Sequence, residues 1–149
     1  MVRLSALVVN LICMRDIRLG CQYAKVGETF LNFGLIPGDG GAWFLPRVVG
    51  LQRAAEMTFS GRVVGPEEAQ AIGLFLELVE SKQLLNRATE MAESYARQPR
   101  EALRMSKRLL QLGQRMPLDD FLDICASQQA LCHTSDQYHS AIEAMFTQK

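Results

Sequence analysis

Nothing in this 149-residue chain reads as a bilayer-spanning helix, because no apolar run approaches the roughly 20 residues that such a helix needs. The longest candidate, Leu4 to Met14, is broken by Ser5 and Asn10 and is followed directly by Arg15, Asp16 and Arg18. No small-x-small cleavage pattern comes after it, so it reads as a buried segment of a soluble protein and not as a secretory signal. An excess of one charge is also missing: 16 Lys plus Arg face 16 Asp plus Glu. That balance gives no general pull toward nucleic acid or an anionic membrane, so any anion site has to be local. Cysteine in metal-ligand spacing is absent too. Cys13, Cys21, Cys125 and Cys132 form no C-x-x-C pair and read as reduced thiols in a cytoplasmic setting. His133 and His139 miss the four-residue spacing that puts two ligands on one helix face, and no metal is expected.

What is present is an ordinary globular composition, 48% hydrophobic and 21% charged, in a length that suits one domain with its own core. Ile17 to Tyr23 and Lys25 to Phe33 look extended and lead into the densest glycine cluster, Gly34-Leu-Ile-Pro-Gly-Asp-Gly-Gly41. Such a cluster is a loop, and Ala42 to Val49 after it reads as a short helix ended at Gly50. A helical turn through Ala55, Met57 and Phe59 stops at Gly61, and Val63-Val64 is briefly extended. Pro66, Glu67 and Glu68 open another helix, closed by Gly73, and a strand is expected over Leu74 to Val79. Alternating strands and helices mark an α/β layer. Beyond Ser81 the pattern is wholly helical, with segments from Leu84 to Tyr95, Arg100 to Leu112, Asp119 to Cys132 and Ser135 to Phe146. The expected division is an α/β part over 1–80 and a helical covering or association region over 81–149.

One stretch carries a specific resemblance. Asp16-Ile-Arg-Leu, Ala24-Lys-Val-Gly-Glu28, the glycine loop, Leu45-Pro-Arg-Val-Val-Gly50, Ala54-Ala-Glu-Met57, Ser60-Gly-Arg62, Glu67-Glu-Ala69 and Ile72-Gly-Leu74 stand in the order seen in the enoyl-CoA hydratase/isomerase (crotonase) family. Ala102-Leu-Arg-Met-Ser-Lys-Arg108 is similar to that family's C-terminal helices. The resemblance implies the C-terminal part of a crotonase-like (ClpP/crotonase) fold, an α/β spiral of β-β-α turns followed by an all-helical region. It further implies an acyl-CoA thioester as partner and a homo-oligomer, or a mixed oligomer with related subunits. No separate cofactor is implied, since coenzyme A is part of the substrate. The family reaction is reversible hydration of 2-enoyl-CoA thioesters, with backbone N–H groups holding the thioester oxygen against developing negative charge.

The same comparison singles out where this chain departs. Hydratases use two glutamates as general acid and base. Their positions fall on Asn10 and Phe30, and Ala6, Leu7 and Val8 stand where the glycines before the first glutamate are expected. Gly38 matches the glycine whose backbone N–H helps hold the attacking water. Glu28 and Asp39 are the carboxylates near the loop and the remaining candidates for acid–base work; the competing reading makes Glu28 a solvated strand residue and Asp39 an acceptor for loop amides. Leu35, Ile36, Pro37 and Trp43 are candidate acyl-binding residues, with core packing as the alternative for Trp43 and Phe44. The basic cluster Arg97, Arg100, Arg104, Lys107 and Arg108 reads first as a solvated helix face, and second as a contact for a CoA phosphate across a subunit interface. Two functions follow: a hydratase/isomerase-like enzyme that is truncated and weak or inactive alone, or a noncatalytic module that assembles with full-length relatives.

Overall fold

A computed structural model describes Arg3, Leu4 and residues 6–147, with side chains from Val9 onward. The side chains of Ala6, Leu7 and Val8 therefore lie outside the described residues. Strand β1 (Arg3–Leu4) leads into helix α1 (Ala6–Cys13), followed by β2 (Leu19–Cys21) and β3 (Lys25–Gly27). Next come α2 (Gly41–Val49), α3 (Leu51–Ser60), β4 (Val63–Val64), α4 (Pro66–Ala71) and β5 (Glu77–Val79). The helices α5 (Leu84–Ala96), α6 (Arg100–Leu112), α7 (Leu118–His133) and α8 (Asp136–Thr147) complete the chain.

Two small sheets organise the first part. In one, β3 is central, parallel to β1 and antiparallel to β4, with Val26 opposite Leu4 on one side and Val64 on the other. In the second, β2 and β5 run parallel, Gly20 opposite Leu78. Gly20 is required there because a Cβ would lie 2.5 Å from the Phe75 ring. Between the sheets and helices sits one core: Val9 and Cys13 on α1, Val26 on β3, Leu45 and Val49 on α2, Ala54 and Met57 on α3, Val64, Ala69, Leu74 and Phe75. The three- and four-residue spacings on α1, α2 and α3 put each helix's buried pair on one face, as amphipathic packing demands.

The extended reading of Lys25 to Phe33 is corrected after Gly27: Phe30–Phe33 is a 3₁₀ turn. Its exit is set by Gly34 in the left-handed region (φ 69°), and the Asn32 amide donates to the Gly61 carbonyl at 2.9 Å. Those local bonds satisfy the backbone without a ladder partner. The strand expected over Leu74 to Val79 shrinks to Glu77–Val79, because the N–H groups of Leu74 and Phe75 both turn back to the Ala69 carbonyl at the end of α4.

The chain divides into two compact units, Met1–Ala88 and Thr89–Lys149. The boundary falls within α5, and Arg87 near the start of that helix pairs with Glu77 on β5 at 2.8 Å. In the second unit, α6 and α7 are joined through Gly113 and Pro117, and the Cys132 thiol lies 3.8 Å from the Met105 sulfur. None of its described residues is buried. Among the described residues no helix is long and apolar enough to cross a membrane.

Candidate active site

Three elements bring polar side chains to one buried point. Helix α1 presents Asn10, the end of β3 presents Glu28, and the glycine loop presents Asp39 just before α2. Asn10 and Glu28 are each 1% exposed, so the sequence alternative of a solvated Glu28 is corrected. Strand alternation explains the burial: Val26 faces the core, and Glu28, two residues on, follows to the same side. The Asn10 amide nitrogen donates a close hydrogen bond to Asp39 Oδ1 and lies 3.5 Å from Glu28 Oε1, at the long limit for such a bond. Asp39 thus accepts from a side-chain amide, where the sequence alternative gave it loop amides.

Space for this group exists because residue 41 has no side chain. A Cβ on Gly41 would lie 2.6 Å from Asn10 Nδ2, Asn10 Oδ1 and Glu28 Oε1. Gly41 is the first residue of α2, and Gly40 before it is left-handed (φ 97°), so the carboxylates gather where the helix begins. Asn10 Oδ1, Glu28 Oε2 and Asp39 Oδ2 are buried and have no protein partner. Burial pushes the Glu28 carboxyl up to about 7; the Asn10 amide opposes this and the nearby charge of Asp39 adds to it. At neutral pH Glu28 is therefore poised between its acid and base forms, the condition for giving and taking protons.

The other sequence candidates fall around this point unevenly. Leu35 and Ile36 are exposed on the loop, Pro37 is half-buried, and Phe30 is half-buried in its 3₁₀ turn. Gly38 N–H donates to the Ile36 carbonyl at 2.8 Å, so in this conformation its donor is engaged within the loop. Trp43 is 52% exposed, with the Arg47 guanidinium 3.4 Å from its ring centroid, while Phe44 packs on the core. All four cysteines are free thiols, and burial pushes Cys13 up to about 11, which keeps it in the unreactive thiol form. What sequence reasoning missed is Asn10 as a participant: read only as a lost acid, it is the residue that bridges the two acids. The available signal was the polar Asn10 inside an otherwise apolar helical run.

Comparison with known proteins agrees with this architecture. The family model for enoyl-CoA hydratase/isomerase matches residues 7–147. The chain belongs to the enoyl-CoA hydratase/isomerase family. It is 36% identical over 123 residues to a short-chain-enoyl-CoA hydratase of Clostridioides difficile, covering 82% of this chain and 79% of that protein. It is 31% identical over 134 residues to a 1,2-epoxyphenylacetyl-CoA isomerase of Escherichia coli, covering 90% of this chain and 51% of that one. Among solved structures, an enoyl-CoA hydratase/isomerase from Cupriavidus metallidurans superposes with a TM-score of 0.92 at 33% identity, over 99% of this chain and 56% of the other. The fold is accordingly crotonase-like. The chain spans about half the length of several curated relatives that it matches and about a third of others.

Proposed function

We propose that this chain acts on acyl-CoA thioesters as the acid–base-bearing part of a hydratase/isomerase-type site, with Glu28 and Asp39 as its proton-transfer groups. The observation that supports the reading is the buried meeting of Glu28, Asp39 and Asn10 at the start of α2. Buried carboxyls without full hydrogen bonding are costly to fold around, and they cluster where chemistry needs them. Reversible hydration of a 2-enoyl-CoA and migration of its double bond share one requirement, a carboxyl group that exchanges a proton beside the thioester-bearing carbon. Leu35, Ile36, Pro37 and Trp43, on the same loop and the first turn of α2, supply an apolar lip for the acyl chain. Gly38 serves as a donor to water only if its bond to Ile36 opens. Because most of these relatives are about twice as long or longer, we assign the isolated chain weak binding and slow turnover in a cytoplasmic, oligomeric setting.

Calorimetric titration with crotonyl-CoA, followed in the same sample by loss of enoyl absorbance, tests this reading. Heat of binding together with turnover that Glu28→Gln abolishes supports it. Absence of binding removes it.

One observation favours the second reading, a noncatalytic module that joins related subunits. The unit from Thr89 has no buried residue among those described, and Leu110, Leu118, Leu131, Met145 and Phe146 are at least 60% exposed. Apolar surface on that scale suits association. Co-purification with a full-length relative, without any acyl-CoA binding by the chain itself, is the outcome that selects this reading.

A further inference from the structure

A second concavity lies at the other end of β3 from the buried acids. Between β2 and β3 the chain turns over Gln22, Tyr23 and Ala24, and the Ala24 N–H closes that turn by donating to the Cys21 carbonyl at 2.9 Å. The turn forms one side of a half-open cavity of about 780 Å³, inside the range of roughly 300–1,000 Å³ that small-ligand sites occupy. The cavity belongs wholly to the first compact unit, and Asn10, Glu28 and Asp39 take no part in its lining. Lys25 opens β3 and Glu28 follows its end, so about 10 Å of strand separates the two places.

The walls are apolar, built by Ile12 of α1, Leu19 of β2, Phe75 and Leu84. Phe75 is 3% exposed and its ring lies on Gly20, where a Cβ would be 2.5 Å away, so packing fixes this wall in place. The Ser81 N–H donates to Gln22 Oε1 at 3.2 Å, which ties the β2–β3 turn to the 3₁₀ turn Ser81–Gln83. With its oxygen engaged there, Gln22 has its NH₂ group to offer as a donor. Among the described residues lining the cavity, Lys25 is the only charged one, and it is half-buried. No acid stands among them; Glu80 lines a separate, smaller depression that shares Gln22.

An ammonium group within apolar walls, with no carboxylate beside it in the lining, attracts a counter-charge brought by a ligand more strongly than it would in open water. One cation balances one negative charge. A phosphate-bearing group such as coenzyme A carries several, and calls for more donors than Lys25 and Gln22 provide. We propose that this cavity is a binding site for a free monocarboxylate with an apolar tail, a medium-chain fatty acid in class. The tail lies along Leu19, Phe75 and Leu84, and the carboxylate meets Lys25 and Gln22. The site stands apart from the acyl-CoA reading, since its ligand carries no coenzyme A.

Calorimetric titration of the full chain with decanoate, kept below the concentration at which it forms micelles, tests this assignment beside decanol, which has the same tail without the charge. The expected result is one decanoate per chain, held about 10-fold or more tighter than decanol. Lys25→Gln brings decanoate down to the level of decanol and leaves decanol as it was, which separates a lost charge from a lost fold. Lys82→Gln, exposed beside Ser81 but outside the lining, changes neither ligand. Leu84→Trp fills the cavity and weakens both, with circular dichroism confirming that the variant is folded. Decanoate binds Glu28→Gln as it binds the wild type. Equal affinity for decanoate and decanol overturns the proposal, as does decanoate binding that Lys25→Gln leaves undiminished, or the absence of any binding. Loss of decanoate binding in Glu28→Gln overturns it too, because the ligand then sits among the buried acids.

Discussion

Glu28 is the residue whose behaviour with pH carries most information. Its carboxyl is pushed by burial from 4.5 to about 7, so the folded state binds this proton more tightly than the unfolded chain does. The resulting stability is full below 4.5 and is lost as pH rises through about 7, on the order of 3 kcal/mol across the window. Urea denaturation on either side of the window should show wild type weakening with rising pH and Glu28→Gln nearly level. Gly41 offers a second check. Gly41→Ala gains helix propensity but drives a methyl group to 2.6 Å from Asn10 and Glu28, and the loss prevails, about 1–3 kcal/mol by analogy with overpacked cores. The candidate acids were legible in the sequence because they flank a glycine loop in register with a family pattern. Their meeting with Asn10 was not, since Asn10 lies 18 residues from Glu28 and 29 from Asp39, and spacing alone cannot join α1, β3 and a loop.

Between elements, the most developed polar link is Arg62, which precedes β4 and grips Glu56 of α3 at 2.6 Å and Glu68 of α4 at 2.5 Å. Pairing with Arg62 holds both carboxyls below their usual range, so their contribution is present above that range and is lost as pH falls below it. These side chains are more than a third exposed, and salt screens them. Arg62→Ala should therefore lower the melting temperature modestly at low ionic strength and by less at high salt, a difference that calorimetry reads. Gly61 next to it is a stricter constraint: φ is 58°, and a Cβ would lie 2.3 Å from Asn32 Oδ1. Gly61→Ala should cost more than Arg62→Ala in the same melting experiment, because it strains the backbone and displaces the Asn32 bond to the Gly61 carbonyl. Helix limits from Pro66 onward were readable within a residue or two, because proline, paired acids and glycine act locally. Strand limits were not: β2, β3 and β5 are three residues each, and what ends them is a turn or a partner far away in sequence.

At the scale of the molecule, the two units differ in what they bury. The first owns every buried residue described, and the second owns none and exposes large apolar side chains. Sedimentation of the purified chain should show self-association that weakens when Leu110 and Leu131, 74% and 60% exposed, are replaced by polar residues. A tight monomer that binds no hydrophobic dye would contradict this. Family membership was legible from the order of short motifs, since local sequence carries it, and exposed apolar helix faces were expected too; what covers them was not legible, because amphipathic periodicity shows that a helix face packs without showing on what.

The parallel pairing of β2 with β5 also sets a timetable. Leu19 meets Glu77 and Cys21 meets Val79, so a ribosome has to deliver the whole intervening stretch, nearly all of it helix and loop, before this sheet can close. Until Val79 emerges, Gly20 and its neighbours wait with unmatched backbone groups while α1, α2 and α3 are already free to pack together. Such late closure of distant partners slows folding and lengthens exposure to aggregation. A nascent chain arrested before Val79 should therefore be far more sensitive to protease than one released only a few tens of residues later.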